Sequence, residues 1–200
     1  MVSDTKRCIF IHIPKCAGTS VNRELSLDSV GFSGHSPLSA HLKYLKLGYF
    51  SFTFVRNPYD RTASAYRYFR KLKAGHRWYK RNKIISDAAN SMTFLEFVNH
   101  ITDFQKLMRR EEGSFESGIH LQPFSYFLDT PAFPIAYVGR FENIQHDYFN
   151  ILSRLGFPLK RLPKTNSTHQ PNYRPLYVEE SRNTVYNIYK EDIEQFNYSF

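Results

Sequence analysis

The feature that most constrains this chain is the passage from residue 8 to residue 20, CIFIHIPKCAGTS. Cys8 to Ile13 is a short apolar run rich in β-branched side chains, and it reads as a buried strand. Pro14 ends the run, and the chain passes at once to Lys15, Cys16, Ala17, Gly18, Thr19 and Ser20. Thr19 to Leu27 reads as the helix that follows. A strand that turns directly into a helix presents unpaired backbone N–H groups at the turn. With the positive end of the helix dipole, those groups form an anion site. Gly18 lets the backbone come close to a ligand, Lys15 adds a point charge, and Thr19 and Ser20 add hydroxyls. The same residues also fit a plain tight turn with a solvated lysine. The arrangement is not the triphosphate loop G-x-x-x-x-G-K-[ST], because here the lysine precedes a single glycine. No apolar run ends in an aspartate suited to magnesium, so the expected ligand is an anion that needs no metal.

A second anion motif lies in FTFVRNPYDRTASAYRYFR, residues 52 to 70. Tyr49 to Val55 reads as a strand, and Asn57 as the N-cap of a helix with Pro58 at its first position and Asp60 at N3, running to about Leu72. Arg56 stands at the strand end, the ligand-facing edge of a parallel sheet. Ser64 lies about two turns into the helix, with Arg61 and Tyr68 one turn either side. An arginine and a hydroxyl so placed can hold a second phosphate; equally, Arg56 can cap the sheet while Ser64 packs quietly. Further along, Met92 to Ile101 reads as a helix, Ile135 to Val138 as a third strand, and Phe141 to Gly156 as a helix with Gly156 as its C-cap. The apolar spacing of Val185, Ile188, Tyr189, Ile193 and Phe196 predicts an amphipathic C-terminal helix. Residues 28 to 42 read as loop and 103 to 118 as a surface excursion. Strands alternating with helices predict an α/β fold with a central parallel sheet flanked by helices. The length suits one domain over residues 1 to 200.

The formal net charge of +9 favours anionic partners. It is concentrated in residues 68 to 83, YFRKLKAGHRWYKRNK, where Trp78 and Tyr79 are interleaved with cations. That composition suits an anionic glycan stacking on the aromatics. It also suits nucleic acid, or merely a solvated helix end and loop. Arg140, Lys164 and Arg174 add positive potential. The two cysteines, Cys8 and Cys16, argue against a disulfide framework and fit a reducing compartment. No run approaches the roughly 20 apolar residues of a membrane span, and no signal-peptide core is visible, so a soluble, cytoplasmic chain is expected.

IFIHIPKCAGTS followed by FTFVRNPYDRTASAY resembles the sulfotransferases, in particular the carbohydrate sulfotransferase branch. YVGRFENI (137 to 144), NSTHQPNYRPLY (166 to 177) and YKEDIEQFNY (189 to 198) are similar to that branch too, and the likeness is weakest from Lys71 to Phe115. The resemblance implies a fold with the plan of nucleotide kinases and a donor, 3′-phosphoadenosine 5′-phosphosulfate (PAPS), converted to 3′,5′-bisphosphoadenosine (PAP). Lys15, Cys16, Ala17, Gly18, Thr19 and Ser20 would hold the 5′-phosphosulfate, with Lys15 also acting in catalysis, and Arg56 and Ser64 would hold the 3′-phosphate. The acceptor would be a hydroxyl on a sugar or anionic glycan, not nucleic acid. A trimmed catalytic domain of this branch would belong in the Golgi lumen.

Transfer to a hydroxyl needs a base to take its proton. His35, in FSGHSPLSAH between the two donor motifs, resembles the histidine of a Gly-His segment in the branch, and that resemblance implies that it would be the base; His41 is the second candidate, and Glu142 is a carboxylate alternative. His41, His120, Gln122 and Arg140 are weaker candidates for acceptor contacts, and His12 is expected to be structural or a neighbour of the donor loop. Two other classes stay open: a nucleotide kinase, disfavoured by the misplaced lysine and the missing magnesium aspartate, and a non-enzymatic polyanion-binding module.

Overall fold

A computed structural model describes residues 1–25, 34–108, 117–163 and 172–200. In chain order these form β1 (Val2–Ser3), β2 (Cys8–Ile11), α1 (Gly18–Leu25), a 3-10 turn (Leu38–His41), α2 (Leu42–Lys46), β3 (Phe50–Val55) and α3 (Pro58–Lys71). Then come α4 (Tyr79–Ser91), α5 (Phe94–Asn99), α6 (Ile101–Gln105), a 3-10 turn (Ser117–Leu121), α7 (Phe124–Phe127), β4 (Tyr137–Arg140), a 3-10 turn (Phe141–Asn143) and α8 (Ile144–Leu155). A last 3-10 turn (Arg174–Leu176), α9 (Glu179–Ile188) and α10 (Lys190–Gln195) complete the order. The chain divides into two compact units, Met1–Arg56 with Phe124–His169, and Asn57–Pro123 with Gln170–Phe200.

The first unit holds a four-stranded sheet in the order β1-β2-β3-β4. β2, β3 and β4 are parallel, as the alternation of strands and helices predicts, whereas β1 pairs antiparallel with β2. A two-residue strand carries too little periodicity to be read from sequence. β2 is buried throughout and β3 from Ser51 to Val55, the burial that a covered parallel sheet demands. Thr53 is tolerated inside because its Oγ1 donates to the Ile11 carbonyl at 2.7 Å. β2 stops at Ile11 rather than Ile13, since Ile13 N already turns back to the Ile11 carbonyl. β4 starts at Tyr137 rather than Ile135; Ala136 N is taken by the Ser51 hydroxyl at 3.0 Å, so pairing begins one residue later, with Tyr137 opposite Phe52. Gly139 allows close packing: a Cβ there would come within 2.6 Å of the Phe54 ring and 3.0 Å of the Asp147 Cβ. α8 ends at Gly156, which adopts φ 68° as a left-handed cap, as expected from sequence. The loop expected over 28 to 42 is partly helical: Pro37 caps the turn that leads into α2, and residues 26 to 33 lie outside the described residues.

The second unit is helical, with an aromatic core of Tyr59, Tyr66, Phe69, Phe94, Phe97 and Phe104 closed by Val185 and Ile193. α3 begins as its sequence dictates: the Asn57 side chain accepts from Tyr59 N at 3.0 Å and Pro58 occupies the first position. The helix expected over Met92–Ile101 is two helices. A capping box between Thr93 and Glu96 delays the start to Phe94, and His100 (φ −99°, ψ 3°) separates α5 from α6. The expected C-terminal helix likewise breaks at Tyr189 (φ −116°, ψ 26°), between α9 and α10. The basic run 68 to 83 is not only a helix end and loop, because α4 starts within it at Tyr79. Residues 109 to 116 of the expected surface excursion lie outside the described residues.

Candidate active site

The register of the sheet decides which strand ends share an edge. Ile11 lies opposite Thr53, and Val55 opposite Arg140, so β2, β3 and β4 deliver their carboxyl ends to one side of the first unit. After β2 the chain enters the turn Pro14–Ala17, in which Lys15 (φ 67°) and Ala17 (φ 63°) are both left-handed. For residues with a Cβ this costs about 1–2 kcal/mol each. In this loop Cys16 N donates to the Ile13 carbonyl at 3.4 Å and Ser20 N to the Ala17 carbonyl at 3.0 Å, and α1 opens directly behind it at Gly18, so the start of a helix faces the strand end. Thr19 is exposed, and Lys15 and Ser20 are partly exposed. Cys16 is buried, and its thiol donates to the Pro14 carbonyl at 3.6 Å, so its side chain is turned into the turn rather than outward.

Gly18 also has a cause within the chain itself. A Cβ at this position would lie 1.9 Å from Cδ2 and 2.3 Å from Nε2 of His12. The missing side chain therefore makes room for an imidazole of the same chain as well as leaving the loop backbone bare. Burial foremost, with the N-terminal ammonium and the Lys15 ammonium acting in the same direction, holds the His12 pKa well below its ordinary value, so this ring is neutral.

Arg56 is 1% exposed. Its Nη1 donates to the Lys15 carbonyl at 3.0 Å, and its guanidinium lies 4.1 Å from the centroid of the Phe141 ring. The hydrogen bond and the aromatic face make the buried charge tolerable and tie the loop after β2 to the end of β3. Arg140 is paired with Val55, the residue before Arg56, and its backbone N donates to Asp147 Oδ2 at 2.7 Å. Asp147 Oδ1 accepts from the Tyr137 hydroxyl at 2.9 Å, so this carboxylate clips α8 to β4. Glu142 is exposed in the turn between them.

His35 meets the same edge. Its Nδ1 is 2.8 Å from the His12 carbonyl oxygen, which can only accept, so Nδ1 carries the proton and in the neutral ring the lone pair is on Nε2. The two imidazoles meet edge to face, 4.4 Å between centroids. His41 differs: it is 2% exposed, its Nε2 lies 3.0 Å from the Ser36 hydroxyl, and burial lowers its pKa to about 4. Of the two loop histidines, His35 is the one held at the strand end.

The remaining sequence candidates lie in the second unit. Ser64 sits on the buried side of α3, 8% exposed. Arg61 donates to the carbonyls of Gln122 (2.8 Å) and His120 (3.5 Å), while the Leu121 carbonyl accepts from Gln105 Nε2 (2.8 Å) and the Tyr189 hydroxyl (2.7 Å). Gln122 Nε2 donates to the Gln105 carbonyl at 2.8 Å. The imidazole of His120 packs on Tyr68 and Phe69, with centroids 5.0 and 5.6 Å away. Gln122 and His120 are thus engaged in bracing residues 120 to 122. In the basic run, the guanidinium groups of Arg77 (4.5 Å) and Arg81 (5.2 Å) both lie over the Trp78 ring, and Asn82 Nδ2 donates to the Trp78 carbonyl at 2.9 Å. Arg174 lies over the rings of Tyr173 and Phe200, and Lys164 is outside the described residues. Among the described residues no group of three or more His, Cys, Asp or Glu side chains is placed to hold a metal ion, and no helix is long and apolar enough to cross a membrane.

A model of the sulfotransferase family matches residues 1–199. The chain belongs to the sulfotransferase family. It is 26% identical over 201 residues to carbohydrate sulfotransferase 14 of Danio rerio, covering 86% of this chain and 52% of that protein. Against carbohydrate sulfotransferase 14 of Homo sapiens it is 26% identical over 197 residues, covering 86% of this chain and 50% of the relative. The chain spans about half the length of the curated relatives it matches. No solved structure matches it. His12 lies, as expected, beside the donor loop, while sequence reasoning missed two residues that hold the edge of this sulfotransferase chain together: Phe141 beneath Arg56, and Asp147 at the head of α8. An aromatic after one arginine does not show in sequence that it packs on another, nor does an aspartate in a helix show which strand it clips.

Proposed function

We propose that this chain transfers a sulfonate group from PAPS to a hydroxyl of a carbohydrate. The observation that carries the reading is the convergence, at one sheet edge of the first unit, of the left-handed Lys15 loop, Arg56 and a histidine whose Nδ1 proton is already committed. The backbone of Lys15 to Ser20, with the Lys15 ammonium and the hydroxyls of Thr19 and Ser20, takes the 5′-phosphosulfate. Arg56, at the end of β3, takes the 3′-phosphate. His35 Nε2 accepts the acceptor's proton as its oxygen bonds to sulfur. The bond from sulfur to the bridging phosphate oxygen breaks, and Lys15 meets the negative charge that builds on that oxygen. Sulfated acceptor and PAP leave. The reading assigns no step to a metal ion, and it treats residues 1 to 200 as one functional sulfotransferase domain.

The named relatives are carbohydrate sulfotransferases, which supports a sugar acceptor. The net charge of +9 and the half-buried Trp78 among Arg77 and Arg81 favour an anionic glycan for that role. Thermal shift with PAP, AMP, ATP plus magnesium, and heparin tests the assignment. A ligand that binds only the folded state at a hundredfold excess over Kd adds about 2.7 kcal/mol. PAP is expected to stabilise most among the nucleotides, and EDTA to leave sulfonate transfer unchanged. Greater stabilisation by ATP plus magnesium would support the kinase reading, and a response to heparin alone would support a polyanion-binding module.

A further inference from the structure

The Phe52, Phe10 and His12 rings form a continuous stack in the first unit, with centroids 5.0 and 5.8 Å apart, and the stack ends edge-on against His35. Phe10 and Phe52 belong to the buried sheet, so His12 is held by a rigid support. It touches both halves of the proposed chemistry. Its ring occupies the space where Gly18, the first residue of α1, lacks a Cβ, and its carbonyl takes the Nδ1 proton of His35 at 2.8 Å. We propose that His12 is a positioning residue that sets the anion loop and the acceptor base against each other, its ring propping Gly18 and its backbone fixing the tautomer of His35. The inference rests on the sulfonate-transfer reading for the meaning of the two parts, and on geometry alone for their connection.

The chemistry of the ring suits the task. A neutral imidazole brings no charge to compete with the anion for the loop donors, and it does not itself serve as the base, because burial keeps protons off it. A small side chain at position 12 would leave the helix start unsupported and free the β2 end to shift. A shift there moves the His35 acceptor, because the carbonyl belongs to the same residue. Loop and base therefore move together, and a displacement of about an ångström in a site of this kind can lower turnover about 10²-fold.

A double-substitution cycle tests this. Gly18→Ala drives a methyl group into the ring and is expected to weaken PAP binding, measured by calorimetry, on the order of tenfold or more, the scale of an overpacked contact. His12→Ala removes the ring, so Gly18→Ala made in that background should cost little further affinity. His12→Phe, which keeps an aromatic ring of similar size, should retain PAP binding. If His12→Ala does not fold, His12→Val vacates the same space. The second readout is the nitrogen NMR spectrum of His35. It should show the Nδ1–H tautomer in the wild-type chain and a mixture of tautomers in His12→Ala or His12→Val. Equal loss from Gly18→Ala with and without the His12 ring, or a His35 spectrum indifferent to residue 12, would overturn the proposal. Failure of the wild-type chain to bind PAP would remove the donor reading instead. The His35 spectrum would then still decide whether His12 positions it.

Discussion

At the scale of single residues, Arg56 has two tasks on one guanidinium, and they give separable predictions. It bonds the Lys15 carbonyl and lies over Phe141, which is a structural function, and it is assigned the 3′-phosphate. Arg56→Ala should weaken PAP far more than AMP, by about 1.5–3 kcal/mol for a lost charged partner. Equal loss for both nucleotides in calorimetry would leave only the structural function. His35→Ala should lower kcat roughly 10²–10⁴-fold with PAP affinity nearly unchanged, and wild-type kcat should fall on acidification as the base takes a proton. A variant with normal turnover would move the base elsewhere, Glu142 being the next carboxylate to test. His41 gives a stability prediction. Its pKa falls to about 4 on folding because it is buried, so between that value and the ordinary histidine value the unfolded chain binds more protons than the folded one. Stability therefore rises with pH across that window and is lost as the solution is acidified toward pH 4. The melting temperature of His41→Gln should depend less on pH there; an unchanged slope would mean that other groups set it.

At the scale of elements, local chemistry explains most starts and stops. Asn57 and Pro58 open α3, Thr93 and Glu96 open α5, and Gly156 closes α8, each by a side chain or a φ that the residue itself supplies. Thr93→Ala should cost about 1 kcal/mol, read from the denaturation midpoint, because the Glu96 amide loses its acceptor. The breaks at His100 and Tyr189 have no such punctuation. Tyr189 is buried, its hydroxyl donates to the Leu121 carbonyl, and burial pushes its pKa up to about 12; a contact far away in sequence holds the residue that separates α9 from α10. Packing also decides Gly139. Gly139→Ala should destabilise by about 1–3 kcal/mol, because its methyl would press on Phe54 in the neighbouring strand. A neutral result in urea denaturation would mean that α8 moves aside at little cost.

At the scale of the whole molecule, charge is the property that sequence reports most directly. A chain of net charge +9 should bind hyaluronan and heparin with an affinity that falls steeply as salt rises from low to physiological ionic strength. Replacing Arg77 and Arg81 together by Ala should reduce that affinity while PAP affinity stays constant, since neither guanidinium belongs to the Lys15 loop. Polysaccharide binding indifferent to these changes would return the run 68 to 83 to a solvated surface. The division into two compact units was not legible in the sequence, because no linker or change of composition falls at Asn57 or Pro123.

The sequence by itself determined the strand that empties into Lys15, the capped start of α3 behind Arg56, the α/β alternation and the resemblance to sulfotransferases. These are local patterns of side-chain type and spacing, and they survive any arrangement of the rest of the chain. Only the tertiary structure decided that Gly18 faces His12, that Arg56 lies on Phe141, and that His35 rather than His41 reaches the strand end. Each of those three facts joins residues brought together by strand register and burial, and none is encoded at any one position. A glycine has the same sequence signal whether ligand or imidazole fills the space beside it; the difference arises only when β2 and the start of α1 pack together.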